Sequence, residues 1–307
     1  MIRYFLKISD FSIDELNQLF EDAISIKKLT KEGLCYNPLK GKVLGLIFDK
    51  SSTRTRVSFE VGMIQLGGSS IFLSPKDTQI GRGEPIADTA RVLSRYLDAV
   101  AMRTFSQNIV EEFLRYSSIP VINALTDLHH PCQILSDILT IIEIFGSYKD
   151  IKVAYVGDGN NVANSWIEAA SIFGFKLSIA SPYDYKPDKS VVEEALNRKN
   201  GLIEITEDPE KCVQDADVIY TDVWASMGQE SEKELREKAF NGYQVDMKLV
   251  KNAKKGAVVM HCLPAHRGEE ITDEVMESSS SVIFHQAENR LHFQKALLKN
   301  LIGGKSE

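Results

Sequence analysis

Short apolar runs alternate with amphipathic segments along nearly the whole chain. The first clear pair is the run VLGLIF at residues 43–48, followed by Val57, Val61 and Ile64 at helical spacing. Such a run is typical of a strand buried on both faces, and the spacing after it is typical of a helix. Similar runs predict further strands at residues 70–73, 98–102, 120–124, 151–156, 176–180, 202–206, 218–221, 257–261 and 282–284.

The alternation of strands and helices predicts the fold class and the domain organisation. Strands that alternate with helices favour parallel sheets with helices on both faces, so we predict an α/β protein with two Rossmann-like domains. The polar segment SYKD at residues 147–150 is a natural boundary, which gives a first domain at 1–146 and a second at 147–285. A final helix from about residue 286 to 302 carries Arg290, and the pattern does not decide which domain it packs on.

The turn after the first predicted strand has the features of an anion site. Ser51, Ser52 and Thr53 are good N-cap residues, so the next residues form the first turn of a helix with outward-facing N–H groups. Arg54 and Arg56 lie in that turn, where the helix dipole favours acids. A bound phosphate would supply the missing negative charge. Two solvated arginines on a capped helix remain an equal alternative.

Other polar residues follow the next strands of the same half. Gln79 comes after the second strand, Arg103 and Thr104 after the third, and His130 and Gln133 after the fourth. Ligands of open parallel sheets bind at the carboxyl ends of strands. Each residue alone is more often structural, but together they suit a small, doubly charged phosphate ester or anhydride. The segment at 74–85 is rich in Gly and Pro, which predicts a loop that closes over a ligand.

The second half presents a different set of groups. Gly157 and Gly159 suggest a dinucleotide site, but Val162 stands where that motif needs a small residue, so a tight connection is the favoured interpretation. Asp222 follows a strand and could hold an ammonium group. Cys262 ends another strand, and a buried inert thiol is the usual alternative there. The spacing of His261, Cys262, His266 and His285 fits no common zinc pattern.

Composition narrows the classes of function. The chain has 307 residues, 43% hydrophobic and 26% charged, with a formal net charge of −7, which argues against nucleic acid and acidic membranes as partners. Its four cysteines form no CxxC pair, no targeting segment is recognised at the start and no apolar run spans a bilayer. We therefore predict a cytoplasmic protein. A P-loop motif is absent from the sequence, which disfavours a nucleotide triphosphatase.

Five motifs together resemble a known family. They are STRTR at 52–56, MRTF at 102–105, HPCQ at 130–133, DVWASMG at 222–228 and HCLP at 261–264. In this order and spacing they are similar to the signature motifs of the ornithine carbamoyltransferases, which belong to the aspartate/ornithine carbamoyltransferase superfamily. The first and third are shared with the aspartate branch, whereas the Ser-Met-Gly and His-Cys-Leu-Pro motifs together are specific to the ornithine branch. The resemblance covers nearly the whole chain.

The resemblance implies an activity and an assembly. It implies transfer of the carbamoyl group of carbamoyl phosphate to the δ-amine of L-ornithine, giving L-citrulline and phosphate, in arginine biosynthesis or the arginine deiminase pathway. It implies a first domain that binds carbamoyl phosphate, with the C-terminal helix at 286–307 packing back on it, and a second domain that binds ornithine. It also implies a homotrimer with shared active sites. No metal and no organic cofactor are expected, because carbamoyl phosphate is already activated.

The same resemblance assigns roles to individual residues. It implies Arg103, His130 and Cys262 as catalytic residues. Carbamoyl phosphate would be bound by Ser52, Thr53, Arg54, Thr55, Gln79 of a neighbouring subunit, Arg103, His130, Gln133, Cys262, Leu263 and Arg290. Ornithine would be bound by Asn161, Asp222, Ser226 and Met227.

Three alternatives remain open at this point. A carbamoyltransferase for aspartate, N-acetylornithine or putrescine would keep the first domain and change the second, and the motif at 226–228 argues against each. An NAD-dependent oxidoreductase is disfavoured by Val162. A phosphate-binding module without catalysis would not need His130, Cys262 and a second domain.

Overall fold

The computed structural model describes residues 3–50, 52–74, 83–225 and 232–303. The chain divides into two compact units, Met1–Leu139 with Asn289–Glu307, and Thr140–Glu288. In the following, unit 1 and unit 2 denote these two parts. Both boundaries fall inside long helices of the chain.

Unit 1 is built on a parallel sheet of four strands. The strands are β1 (Val43–Phe48), β2 (Ser69–Leu73), β3 (Ala99–Arg103) and β4 (Val121–Leu125), in the order β2-β1-β3-β4. The helices are α1 (Ile13–Lys31), α2 (Thr53–Gln65), α3 (Ile86–Leu93), α4 (Gln107–Tyr116) and the start of α5 (Pro131–Phe145). A 3₁₀ turn at Ile8–Asp10 precedes α1. Successive residues of β1 and β3 are buried, so helices cover both faces of the sheet, as predicted.

Local signals set the starts of the helices in this unit. Ser12 caps α1 and accepts a hydrogen bond from the Glu15 N–H, while the Glu15 carboxylate accepts one from the Ser12 N–H. This is a reciprocal capping box. Ser52 caps α2 by accepting a hydrogen bond from the Thr55 N–H. Because the cap fixes where α2 begins, it fixes which N–H groups face outward from the carboxyl end of β1.

Unit 2 is built on a parallel sheet of five strands. The strands are β5 (Lys152–Val156), β6 (Lys176–Ala180), β7 (Leu202–Thr206), β8 (Val218–Thr221) and β9 (Val258–His261), in the order β7-β6-β5-β8-β9. The helices are the end of α5, α6 (Asn161–Phe173), α7 (Lys189–Arg198), α8 (Pro209–Val213), α9 (Lys233–Ala239), α10 (Met247–Val250), α11 (Asp273–Met276) and the start of α12 (Ile283–Ile302), with a 3₁₀ turn at Tyr183–Tyr185. Strand order reverses at β5 and β8, where polar residues lie at the strand ends.

The glycine-rich turn after β5 has a steric explanation within unit 2. A Cβ added to Gly159 would lie 2.2 Å from the backbone nitrogen of Pro187, and the Gly159 N–H donates to the Tyr185 carbonyl at 2.8 Å. Only glycine allows the backbone of residues 185–187 to approach so closely. The tight connection predicted from the sequence explains this glycine without a dinucleotide.

One predicted strand is wrong. Residues 282–284 do not form a strand: Ser281 makes a single bridge with Val259, and Ile283 already begins α12. A run of three apolar residues fits the first turn of a helix as well as a short strand, and periodicity cannot separate them. Helix α12 therefore begins three residues before the predicted start at 286.

The C-terminal half of α12 belongs to unit 1, where lysines hold it against α1 and α2. Lys27 donates to Asn289 Oδ1 at 2.7 Å, and Lys295 donates to Thr30 Oγ1 at 2.6 Å and to Gln65 Oε1 at 2.9 Å. Lys295 is only 2% exposed and burial lowers its pKa to about 8. Among the helices that the structure describes, none is long and apolar enough to cross a membrane.

Candidate active site

The first turn of α2 presents donors at the carboxyl end of β1. Ser52 and Thr53 are accessible, whereas Thr55 is buried. Arg54 lies between them, and no ion pair is found for it in the described part of the chain. Unpaired N–H groups at a helix N-terminus together with an unneutralised guanidinium form an anion site.

Arg56 has a different role from the one its position suggests. Its Nε donates to Glu60 Oε1 at 2.9 Å, and its guanidinium lies 3.7 Å from the centroid of the Phe72 ring. This ion pair with the next turn satisfies the charge of Arg56. The interpretation of two arginines awaiting an anion is therefore wrong for Arg56 and stays a prediction for Arg54.

Arg290 of α12 reaches the same helix turn. Its Nη2 donates to Thr55 Oγ1 at 2.6 Å, across a separation of 235 residues, and both side chains are buried. The lysine contacts of α12 described above lie on either side of Arg290 in the sequence and hold the helix in register with α1 and α2. A second guanidinium is thus brought to the first turn of α2.

Arg103 and His130 extend this cationic cluster. Arg103 ends β3, where it pairs with Phe48 of β1, and His130 directly precedes α5. Burial lowers the pKa of His130 well below its usual value, and the positive charges of Arg290 and Arg103 lower it further. His130 is therefore a neutral imidazole at neutral pH, able to donate one N–H without carrying a charge.

Gln133 and Thr104 add polar groups to the same unit. Gln133 is 1% exposed, and its Nε2 donates to Asp137 Oδ1 at 2.8 Å, which fixes the orientation of the amide. Within the described residues, neither Gln133 Oε1 nor Thr104 Oγ1 has a hydrogen-bond partner. Buried polar atoms without partners are costly, so a ligand that satisfies the Gln133 oxygen would gain affinity.

Unit 2 holds a carboxylate between an amide and a thiol. Asp222, which follows β8, is 5% exposed. Asn160 Nδ2 donates to its Oδ2 at 2.8 Å, and the Cys262 thiol donates to its Oδ1 at 2.8 Å. The Val223 N–H also donates to Oδ1 at 2.8 Å. These bonds orient the Asp222 carboxylate at the carboxyl ends of three neighbouring strands, β5, β8 and β9.

Hydrogen bonds of His261 hold the end of β9 next to Cys262. The Leu263 N–H donates to His261 Nδ1 at 2.8 Å, so the ring proton is on Nε2, which donates to Glu270 Oε1 at 2.9 Å. Leu263 has a φ of 57°, a left-handed conformation that is unfavourable for leucine. Strained backbone of this kind persists where the surroundings determine it, and here it fixes the turn that carries Cys262.

Two adjacent asparagines begin α6, and the sequence analysis named only Asn161 as a site residue. Asn161, which the family resemblance assigns to ornithine binding, is the first residue of α6. Asn160, which the sequence analysis missed, caps α6 by accepting from the Val162 and Ala163 N–H groups and also donates to Asp222. Its position directly before an apolar helix is the signal that would have found the cap.

A buried ion pair below this turn was also missed. Arg236 of α9 donates to Asp158 Oδ2 at 3.0 Å and to the Trp224 carbonyl at 2.7 Å. It thereby ties α9 to the turns after β5 and β8. Nothing in the local sequence pattern links residues so far apart.

The cysteines differ in accessibility. Cys132 and Cys212 are fully buried, and burial raises the pKa of each thiol to about 12, which makes both inert. Cys262 is partly exposed and contacts a carboxylate. The alternative of an inert buried thiol therefore describes Cys132 and Cys212 but not Cys262.

Three of the predicted site residues, Gln79, Ser226 and Met227, lie outside the described residues. The rest fall into two groups. Unit 1 contains Ser52, Thr53, Arg54, Thr55, Arg103, His130, Gln133 and Arg290, and unit 2 contains Asn161, Asp222, Cys262 and Leu263. The first group is cationic and suits a phosphate, and the second is anionic and suits an ammonium group.

Comparison with known proteins agrees with this division. Residues 3–143 match the carbamoyl-phosphate-binding domain of aspartate/ornithine carbamoyltransferases, and residues 149–301 match their aspartate/ornithine-binding domain. The chain is 57% identical over 302 residues to the ornithine carbamoyltransferase of Geobacter sulfurreducens, covering 98% of this chain and 100% of that protein. It is 56% identical over 297 residues to that of Syntrophus aciditrophicus, covering 97% and 98%.

Solved structures show the same similarity. The ornithine carbamoyltransferase from Pyrococcus furiosus matches with a TM-score of 0.95 at 50% identity, covering 99% of this chain and 98% of that one. The anabolic enzyme from Campylobacter jejuni matches with a TM-score of 0.91 at 43% identity, covering 98% and 99%. Because the two family domains match residues 3–143 and 149–301, nearly the whole chain, the chain belongs to the aspartate/ornithine carbamoyltransferase family.

Proposed function

We propose that this protein is an ornithine carbamoyltransferase, which transfers the carbamoyl group of carbamoyl phosphate to the δ-amine of L-ornithine. The observation that carries the proposal is the cluster of Arg54, Arg103 and Arg290 with the neutral His130 in unit 1. It supplies charge for a phosphate and a neutral donor for a carbonyl oxygen. Relatives at 57% and 56% identity bear this name, which supports the same substrates here.

The phosphate of carbamoyl phosphate is proposed to bind at the start of α2. Ser52, Thr53 and Thr55 offer hydroxyl and backbone N–H donors there, and Arg54 and Arg290 offer charge. Arg290 keeps its contact with Thr55 or exchanges it for a phosphate oxygen. This arrangement stabilises the phosphate dianion, which is the leaving group of the reaction.

The carbamoyl group is proposed to be activated by Arg103 and His130. As the amine attacks, the new C–N bond forms and negative charge develops on the carbamoyl oxygen, which Arg103, His130 and Thr55 stabilise by donating hydrogen bonds. Because the pKa of His130 is low, it acts as a neutral donor and not as an acid. Gln133 Oε1, which has no partner among the described residues, accepts from the carbamoyl nitrogen. The C–O bond then breaks, and phosphate leaves as HPO₄²⁻ with the proton that the amine loses.

Ornithine is proposed to bind in unit 2. Asp222 holds the α-ammonium group, and Asn161, with Ser226 and Met227 outside the described residues, holds the amino-acid end. Cys262 and Leu263, which follow β9 in the same unit, are proposed to lie near the reacting amine. Holding both ends of ornithine orients the neutral δ-amine, which is how binding energy is converted to rate.

A homotrimer with shared active sites is also part of the proposal. A groove of about 470 Å³ beside Ser52 and Thr53 is lined by Arg56, Val57, Glu60 and Phe72. Val57, Ile64 and Ile71 on this side of unit 1 are exposed, at 48%, 66% and 48%. Apolar exposure on an edge strand and its neighbouring helix favours burial by another subunit. We propose that Gln79 of a neighbouring subunit enters this groove.

Location and pathway complete the proposal. A cytoplasmic location is part of the proposal, as the sequence composition predicts. Domain functions are proposed to follow the predicted boundaries, 1–146 with the C-terminal helix for carbamoyl phosphate and 147–285 for ornithine. The reaction fits arginine biosynthesis and the arginine deiminase pathway alike.

The test is citrulline formation from carbamoyl phosphate, with ornithine, N-acetylornithine, putrescine and aspartate supplied in parallel. A strong preference for ornithine is expected. Arg54→Ala should abolish carbamoyl phosphate binding, whereas the matched control Arg95→Ala, on an exposed arginine of the same unit, should retain it. Turnover of another amine would overturn the assignment of unit 2, and unchanged carbamoyl phosphate affinity in Arg54→Ala would overturn that of unit 1.

A further inference from the structure

A second cluster of potential metal ligands lies in the segment after β9. One ligand atom from each of His266, Glu269 and Glu270 lies within 4.8 Å of the other two. His266 Nδ1 is 3.4 Å from Glu269 Oε2. Imidazole nitrogen and carboxylate oxygen are the donors that Zn²⁺ and neighbouring divalent transition metals accept. This set differs from the four residues weighed for zinc in the sequence analysis.

Glu270 distinguishes this cluster from an ordinary group of surface acids. Its side chain has 0% exposure. Oε1 accepts from the His266 N–H at 2.6 Å and from His261 Nε2 at 2.9 Å. Oε2 has no hydrogen-bond partner within the described residues, and no lysine or arginine of those residues pairs with this carboxylate. A buried carboxylate oxygen without a donor costs free energy, and a cation would remove that cost.

We propose that His266, Glu269 and Glu270 form a binding site for one divalent transition metal ion such as Zn²⁺. Glu270 Oε2, which makes no other bond in the described chain, supplies the buried ligand without loss of either contact to Oε1. His266 Nδ1 and Glu269 Oε2 supply the other two, and solvent completes the coordination. The ion has no role in the proposed carbamoyl transfer.

The exposure of the outer ligands makes closure of the site feasible. Ligand atoms bound to one tetrahedral Zn²⁺ lie about 3.3 Å apart, given metal–ligand distances of about 2.0–2.2 Å. The side chains of His266 and Glu269 are 44% and 30% exposed, so they can rotate inward by the required distance. Glu270 is fixed by its two hydrogen bonds, which gives the site one rigid and two adjustable ligands.

Lys233 opposes metal binding and provides a sharp test. Its Nζ donates to Glu269 Oε1 at 2.7 Å, so an ammonium charge lies beside the proposed ion. Lys233→Met removes this charge and keeps the length of the side chain, and should tighten metal binding. If the three residues are only solvated surface side chains, Lys233→Met should leave the affinity for a metal unchanged.

The experiment is a titration of the full chain with Co²⁺ after treatment with EDTA, followed by visible absorption and displacement with Zn²⁺. We expect one Co²⁺ per chain at this site, retained when Cys35 and Cys262 are both replaced by serine. His266→Ala and Glu269→Gln should each weaken binding at least tenfold, and Lys233→Met should strengthen it. Zn²⁺ should raise the Tm of the wild type more than that of His266→Ala.

Three results would overturn the proposal. They are no binding of Co²⁺ or Zn²⁺ at millimolar concentration, unchanged affinity in a folded His266→Ala or Glu269→Gln variant, and loss of all binding in the serine variant. The last would place the ion instead on Asp222, His261 and Cys262, which also lie within 4.8 Å of one another. Circular dichroism shows whether each variant folds. Should His266→Ala fail to fold, Glu269→Gln and Lys233→Met decide the matter.

Discussion

The contact between Thr55 and Arg290 offers the most direct test of how unit 1 builds its anion site. Thr55→Val replaces the hydroxyl by a methyl group of nearly the same size, so the packing of α2 is preserved. The change removes the acceptor that lies 2.6 Å from Arg290 Nη2. It also removes one proposed donor to phosphate.

The expected magnitude follows from the burial of both groups. Thr55 is 1% exposed and Arg290 is 4% exposed, so water cannot replace the lost acceptor. A hydrogen bond to a charged group contributes about 1.5–3 kcal/mol to stability. For a unit of this size that corresponds to a fall in Tm of about 3–12 °C. The dissociation constant for carbamoyl phosphate should rise by about 10- to 150-fold for the same reason.

Calorimetry measures both effects. Scanning calorimetry gives the Tm, and titration of carbamoyl phosphate or inorganic phosphate gives the affinity. Thr53→Val is the matched stability control, because Thr53 is exposed in the same turn of α2 and its replacement should leave the Tm nearly unchanged. If Thr55→Val keeps both the Tm and the phosphate affinity of the wild type, the contact with Arg290 has no energetic role and the reasoning fails.

Four further predictions concern charge and close packing. Asp222→Asn should raise the ornithine KM or lower kcat while carbamoyl phosphate affinity stays within about twofold; equal loss of both ligands would indicate misfolding. The free energy of unfolding should fall as pH drops below about 6.5, because His130 binds a proton in the unfolded chain but not when it is buried. His130→Gln should reduce the slope of this fall by up to about 1.4 kcal/mol per pH unit. Urea titrations at about pH 7.5 and 5.5 measure the difference. Because burial lowers the pKa of Lys295 to about 8, wild-type stability should rise relative to Lys295→Met as pH increases from about 8 toward 10, and a pH-independent difference in Tm would contradict this. Gly159→Ala should destabilise the protein by about 1–3 kcal/mol or more, because the new Cβ would lie 2.2 Å from the backbone nitrogen of Pro187. The control Gly146→Ala, where no atom lies within 4 Å of the new Cβ, should cost only about 1–2 kcal/mol, which comes from its positive φ.

Much of the fold could be read from local pattern. Alternation of apolar runs and helical spacing predicted two parallel sheets, and the sheets of four and five strands confirm this. Ser12 and Ser52 were recognisable as caps because an N-cap involves residues only three apart. The error at residues 282–284 has the same origin, since three apolar residues contain too little periodicity to separate a strand from a helix start.

The candidate site was predicted in part. Strand ends marked Arg103, His130 and Asp222, because parallel strands deliver their carboxyl ends to one edge of a sheet. The i,i+4 spacing of Arg56 and Glu60 is a local signal for their ion pair, whereas Arg54 has no acid at that spacing, but the sequence analysis did not use it. The contact of Asn160 with Asp222 was missed for a different reason: it bridges strands β5 and β8, whose adjacency is fixed by sheet order.

By itself the sequence determined the class of fold, the start of α2 and the types of residue at the strand ends, because these depend on interactions within one or two helical turns. Only the tertiary structure decided that Arg290 meets Thr55, that Asp222 is held between Asn160 and Cys262, and that Glu270 lies buried behind His261. Such pairs are separated by 9 to 235 residues. Their distance in space is set by packing of whole elements, which no local pattern records.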